Sequence, residues 1–484
     1  MLNMKRYRFT IVLLFALFIC ACSVNIYGQV GKIITVKEVS GISSEGDIYK
    51  VTGNVNLKGK VLEIPRGCVL DFKGGKIYNG TIVFNGNQLQ GDICIDGEIQ
   101  GTITNGELKA EWFCFKPGIK SDQTKKLQSM INLYSSNVSH NSWDINLLNP
   151  EPTIVIPPGK YNLGEIELRS FVTIKGAGRG STELHGVVFK ATSQYNFTVE
   201  DLSIVGDVPI KKTDDFDLEN KKCRSAFQLS DCARLIFKNV CIRNYDMAFD
   251  NYNTYLVDLY SCFISYCYVG YLNDGKGSGY GGHAVRWFGG EIYQSKYGFV
   301  QKNGNGVLLT GATMENCEYA ILFIYPVSFT VEACYFEANT YDIFGTVVHV
   351  NIENNFFSIS GKPDYGAYIY AKKAIGYAVI QGNKFSMPIS GKPHILVDED
   401  SKIYGNIMIG QNDIMHGDRI PVSERLLPYI RENGTNTFQT YLPDGKKMLM
   451  GQIVVYKNTQ TGLFYLVTRD NDGNLLFVPF SKEQ

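Results

Sequence analysis

Short apolar segments recur along the middle of the chain at a nearly constant interval. Aligned on their apolar residues, IFKNVCIRN (236–244), VDLYSCFIS (257–265), VLLTGATMEN (307–316), FTVEACYFEAN (329–339) and VNIENNFFS (350–358) fall into one register. The shared column runs Ile242, Phe263, Ile292, Met314, Phe336, Phe357, Phe385, with spacings of 21, 29, 22, 22, 21 and 28. A unit of 21 or 22 residues therefore repeats, and two longer units carry loops. Each unit holds a second apolar segment, such as YGFV (297–300), YAIL (319–322) and YDIF (341–344). Two or three short strands per turn, stacked at roughly 4.8 Å, predict an all-β chain wound as a parallel β-solenoid.

If the apolar column points inward, strand alternation turns its neighbours outward. One predicted exposed ladder is Cys241, Cys262, Glu291, Thr313, Tyr335, Phe356, Lys384; the other is Arg243, Ile264, Tyr293, Glu315, Glu337, Ser358. Glu332 falls outside both. Outside the repeat, residues 47–107 carry glycine-punctuated apolar pieces such as VLDFKGGKIYNGTIVFNG, which read as extra β-coils or a small β-module. After Ser423 two longer runs, MLMGQIVVYKN and GLFYLVTRDNDGNLLFVPF, predict a separate C-terminal β-module, with a hairpin signal at Asn471 to Gly473.

Length and composition agree with a repeat. At 484 residues the chain exceeds the ~250–300 at which one compact core stops growing. Its 49 glycines, 30 tyrosines and 19% charged residues describe an ordered, turn-rich protein. Lys+Arg and Asp+Glu both number 47, so no overall field draws it to nucleic acid or an anionic membrane. Lys5, Arg6 and Arg8 precede an apolar run from Phe9 to Ile19, too short to span a bilayer, which predicts an export leader over residues 1–22. Ile19, Cys20, Ala21 and Cys22 resemble a bacterial lipoprotein processing box with Cys22 as the lipidated residue, while the small residues before Gln29 also suit ordinary cleavage. The expected product is exported: a surface lipoprotein, or a periplasmic or secreted protein. Ten of the twelve cysteines lie between Cys68 and Cys334 without CxxC spacing and read mainly as buried thiols, with one Cys241–Cys262 bridge as an alternative.

Residues 111–186 contain EWFCFKPGIKSDQTKKLQSMIN and then TIVIPPGKYNLGEIELRSFVTIKGAG. Here Gly118, Asp122 and Thr124, followed by Pro157, Pro158, Gly159 and Tyr161, resemble the opening of the pectate-lyase-like superfamily, which includes polygalacturonase-like and tailspike-like members. Gln123 replaces the usual second acidic residue of that turn. The resemblance spans roughly residues 111–415. It implies a right-handed parallel β-helix over 109–422, opened by a capping helix from about Asp122 to Asn132, with 30–108 and 423–484 as flanking β-modules. The superfamily holds lyases, hydrolases, epimerases and binding proteins, so fold alone does not fix a reaction.

A rigid face of stacked rows suits an extended polymer, and an extracellular, acidic polysaccharide is the expected partner. Three chemistries are legible. For β-elimination on a uronate chain, the first choice, the glycine-rich NDGKGSGYGGH (273–283) brings His283 and Tyr280 toward Arg286 and Lys302. Arg286 would hold a carboxylate bidentately, and His283, Lys302 or Tyr280 would serve as base. For glycoside hydrolysis the candidates are Glu291, Glu315 and Glu337, with Glu315 and Glu337 on neighbouring rungs expected to repel and raise one pKa. The clustered aspartates of the polygalacturonase family have no close counterpart. In the third, Arg243, Tyr293 and Tyr335 bind sugar with those glutamates and no bond is cleaved. The same glutamates would also suit Ca²⁺. His140, His185, His349, His394 and His416 show no metal-ligand spacing, so no transition-metal site is expected. The polar segment 207–224 reads as a surface insertion, either a wall of the groove or a solvated loop.

Overall fold

The computed structural model describes residues 33–36, 42–134, 152–429 and 453–479, except positions 208, 212, 220–222, 276–280, 360–365, 387–392, 415–421 and 462. The leader, Cys22, Tyr280, His140 and His416 lie outside the described residues. The chain divides into two compact units. In the first, seven strands between Ile33–Val36 and Ile95–Ile103 form one sheet whose pairings are all parallel, so this region is built of coils like those downstream.

The second unit holds a 22-stranded and an 11-stranded sheet wound together, rung upon rung. One rung reads Val285–Phe288, Glu291–Tyr293 and then Tyr297–Gln301. The first two segments belong to the large sheet and the third to the smaller one. The corner between the first two is made by Gly289 and Gly290. Gly290 has a φ of +83°, and a Cβ there would lie 2.1 Å from the Cys262 carbonyl oxygen of the rung below. Only glycine fits so close an approach in the left-handed region.

Inside the coil, large side chains stack at the rung spacing. Phe189, Phe227, Phe249, Tyr271 and Phe299 form one column with centroid separations of 5.3, 4.9, 5.4 and 4.9 Å. Phe336, Phe357 and Phe385 form another, at 4.8 and 5.0 Å. Buried asparagines close the turns: Asn383 Oδ1 accepts from the backbone and side chain of Asn355, and Asn412 does the same for Asn383. This ladder satisfies backbone carbonyls that a dry turn would strand.

The helix Thr124–Asn132 buries Leu127, Met130 and Ile131. Its start is fixed by Asp122, whose carboxylate accepts from the Thr124 backbone N–H and hydroxyl. Gln128 then bonds both backbone groups of Glu167, on the terminal strand of the smaller sheet, so the helix covers an open β edge. At the other end, Val454–Lys457, Phe464–Arg469 and Leu475–Pro479 form an antiparallel meander. The Asp470 carboxylate closes its last turn by accepting from the N–H groups of Asp472 and Asn474.

The register corrects the aligned column at one place. Ile242 pairs with Ile264, and Cys241 with Phe263, so Phe263 faces outward and Ile264 belongs to the core. The column spacings become 22, 28, 22, 22, 21 and 28. Cys262 is fully buried behind this strand while Cys241 lies on the outward ladder, and both are free thiols. The slip removes the equivalence on which a Cys241–Cys262 bridge rested.

Three described apolar residues of the 207–224 insertion pack on the smaller sheet rather than on the ladders, while most of its described polar residues are exposed. Phe216 stacks on Tyr268 with centroids 4.6 Å apart, and Phe216, Leu218 and Cys223 pack against Met247, Val269, Leu272 and Val300 of the smaller sheet.

Candidate active site

The large sheet presents two outward columns side by side. One reads Glu183, Ser203, Cys241, Phe263, Glu291, Thr313, Tyr335, Phe356, Lys384, Asp413. The other reads His185, Val205, Arg243, Ser265, Tyr293, Glu315, Glu337, Ser358. Extending the columns upstream through TELH (182–185) would have found Glu183 and His185 from the sequence. Arg179, which reaches over this face from a loop, had no periodic signal.

The face is electrically polar along its length. At the upstream end Lys160, His185 and Arg243 surround Glu183 at 3.3, 3.0 and 3.8 Å. Burial pushes the Glu183 carboxyl up, but its bonds to His185 and Lys160 and the charge of Arg243 outweigh this and hold it below the ordinary carboxylate range. The Arg179 guanidinium lies 6.0 Å from the centre of the Phe263 ring. Among the described residues Arg179 makes no ion pair.

Next along the face come the three glutamates. Burial raises the Glu291 pKa, the neighbouring Glu315 charge raises it further, and Arg179 partly offsets both. Glu315 and Glu337 are register partners on neighbouring rungs, as expected, and Glu291 also lies within reach of the Glu315 charge. Glu315 accepts a bond from Asn316 at 3.1 Å. Glu337 accepts one from the Tyr335 hydroxyl at 2.8 Å. Burial, that bond and the Glu337 and Glu315 charges push the Tyr335 hydroxyl up to about 12, so it stays a donor at neutral pH. Tyr293 accepts from Gln294 at 3.0 Å and meets Tyr266 edge-on.

The residues expected to perform elimination are dispersed. Arg286, on the same rung as Glu291 but across the Gly289–Gly290 corner, is bound bidentately by Asp258 at 2.6 and 2.9 Å. Lys302 follows a strand of the other sheet and pairs with Glu219 at 2.8 Å and Asp274 at 3.3 Å. Burial pulls the Lys302 pKa down, but the Glu219 bond and the Asp274 charge outweigh it and raise it, keeping the ammonium protonated. His283 stacks on Tyr255 at 5.3 Å, with Nδ1 buried and unbonded. Among the described residues no hydrogen bond or ion pair joins His283, Arg286 and Lys302, and no group of three or more His, Cys, Asp or Glu is arranged to hold a metal ion.

No protein-family model and no curated protein matches the chain. Among solved structures it is similar to a mutant of DFA-IIIase from Arthrobacter chlorophenolicus A6 in complex with DFA-III. The TM-score is 0.50 and the identity 13%, over 66% of this chain and 87% of that one. The chain has a right-handed parallel β-helix fold. It is also similar to the A-module of Azotobacter vinelandii mannuronan C-5 epimerase AlgE4, with a TM-score of 0.41 and 14% identity over 65% of this chain and all of that one. A third similar structure is ORF18 of Geobacillus virus E2, with a TM-score of 0.35 and 12% identity over 78% and 86% of the two chains.

Proposed function

We propose that this protein is an exported enzyme that cleaves a polysaccharide laid along the two outward columns, hydrolysing a glycosidic bond with Glu291 as general acid and Glu315 as general base. The observation that carries this reading is the placing of Glu291 beside Glu315 on adjacent outward columns of one open face, where burial and the Glu315 charge raise the Glu291 carboxyl and favour its protonated form. Glu291 gives its proton to the glycosidic oxygen as the C–O bond breaks. Glu315 takes a proton from the water that adds to the anomeric carbon. Glu337, held by Tyr335, borders the same position. The fold shared with DFA-IIIase, a carbohydrate-active enzyme, supports a carbohydrate substrate.

Arg179 and Arg243 favour an acidic chain, because guanidinium groups match carboxylates bidentately. They also support a second reading, β-elimination, in which the arginines neutralise a uronate carboxylate while a base removes the adjacent proton. That reading ranks lower because Lys302 is held protonated and Arg286 is already bound by Asp258. A surface anchor through Cys22 rests on the leader motif alone.

The test is to incubate the purified protein with a panel of acidic and neutral polysaccharides while following ultraviolet absorbance and new reducing ends together. Reducing ends without absorbance, lost in Glu291→Gln, are expected. Absorbance from an unsaturated uronate, retained in Glu291→Gln, would replace hydrolysis with elimination. Neither product on any glycan would leave a binding protein.

A further inference from the structure

Beyond the glutamates the first column continues through Tyr335 and Phe356 to Lys384 and Asp413. There an open cavity of about 450 Å³ is lined by Asn354, Gln381, Gly382, Lys384, Gln411 and Asp413, with the ladder residue Asn383 at its base. We propose that this cavity is a distal sugar-binding subsite, which takes a hydroxyl-rich ring of the same polysaccharide several residues from the bond being cleaved. The inference rests on the reading of the glutamate face as the cleavage site.

Three features argue for a ligand rather than a bare turn. First, four of the polar groups are unspent. Lys384 and Asp413 are partners in register, yet among the described residues neither forms an ion pair, and the side chains of Asn354 and Gln411 make no hydrogen bond to any of them. Gln381 spends its amide N–H on Glu353 at 2.7 Å. Second, the space is made by a residue without a side chain. Gly382 has a φ of +67°, the left-handed turn conformation that Ala333 and Asn354 take on the rungs before it, and a Cβ there would lie 2.2 Å from Asn354 Oδ1, so a side chain at this position would push the Asn354 carboxamide aside and fill part of the hollow. Third, the approach is paved: Tyr335 and Phe356 stack at 5.4 Å in the same column and give an apolar shelf between the glutamates and the cavity.

The lining also selects the class of ligand. One cation, one anion and four carboxamides carry no net charge and offer both donors and acceptors, the pattern that ring hydroxyls satisfy. An anionic substituent would gain from Lys384 and lose to Asp413. Four register steps separate Glu291 from Lys384, or ~19 Å at the interstrand spacing, a span of several sugar rings. The enzyme would therefore act within long chains and favour them over short ones.

The experiment uses the full chain, the Lys384→Ala/Gln411→Ala double variant and Asp413→Ala. All three altered side chains are at the surface, and melting curves check that the fold is kept. Two measurements are made. One is retardation in native gels cast with each polysaccharide of the panel. The other is kcat/KM on a size-graded oligosaccharide series cut from the glycan that is turned over. The wild type should show kcat/KM rising with chain length. The variants should flatten that rise about tenfold at the longest chains, through KM rather than kcat, as expected for lost hydrogen bonds to charged groups. Equal loss at every length, or retardation unchanged from wild type, would overturn the subsite. If the wild type is retarded by a glycan but cleaves none, the catalytic reading fails while retardation of the variants still decides the subsite. If no glycan retards the wild type, both fail.

Discussion

The outward surfaces of the two long sheets obey the same strand alternation and end up opposite in character. On the smaller sheet Leu272, Val300 and Leu322 are register partners; Leu272 and Val300 are buried, with Phe216, Leu218 and Cys223 of the 207–224 insertion packed against them, and Leu322 is half-buried beside them. On the large sheet the corresponding rows hold Glu291, Tyr293, Glu315, Tyr335 and Glu337 with no such cover among the described residues. An outward apolar row needs a lid, since leaving it wet forgoes about 25 cal/mol for each Å² of apolar area. The open rows carry carboxylates among aromatic residues such as Phe263 and Phe356, and placing Glu291 beside Glu315 costs repulsion that a merely solvated surface would avoid by spacing its charges. The comparison teaches that the covered face serves stability, while the open one retains an unfavourable proximity that the proposed chemistry would use.

The sharpest way to break this contrast is Glu291→Gln. Losing the proposed acid should lower kcat by about 10²–10⁴-fold with little change in melting temperature. A variant that melts well below wild type would move Glu291 to the structural side of the comparison. Phe216→Ala tests the covered face. Uncovering Tyr268 and its neighbours should destabilise the protein by about 1–3 kcal/mol, seen as a lower denaturation midpoint, while turnover by the folded fraction persists. An unchanged midpoint would show that the insertion is not a lid.

A subtler effect is expected from pH. Glu291 is raised in the folded state, so the stability its protonated form contributes is present below the unfolded glutamate range and is lost as pH rises through the folded value. As a general acid it should likewise give activity an alkaline limb at that pKa. Arg179 pulls this pKa down, so Arg179→Ala should shift the limb to higher pH; a profile of kcat/KM that stays put or moves lower would remove Arg179 from the site. The smallest effect is reserved for Lys302→Ala, which breaks a partly exposed pair with Glu219 and should cost no more than about 1 kcal/mol. A collapse of turnover in that variant would instead restore Lys302 to the chemistry.

Much of the fold was legible because a parallel β-helix repeats one local rule many times. Six of the seven aligned core positions are correct, and the helix Thr124–Asn132 and the C-terminal hairpin lie where turn and capping residues place them. The one slip came at SCFIS, where Phe263 and Ile264 are both apolar and spacings of 21 and 22 both occur elsewhere in the chain. Neither pattern nor period could choose between them; the strand pairing of Ile264 with Ile242 and Ile292 shows which one faces the core.

The candidate site was less legible. His283, Arg286 and Lys302 look like neighbours along the chain, yet Arg286 and Lys302 belong to different sheets and each is held by its own carboxylates. The sequence by itself determined the period, the inward column and the presence of tyrosines and glutamates on one outward side, because alternation and stacking are local consequences of residue order. Only the tertiary structure decided which outward face is covered, which glutamate is pressed against another and which cations are already paired, because those depend on loops that return from distant rungs, and no periodicity encodes where a loop lands.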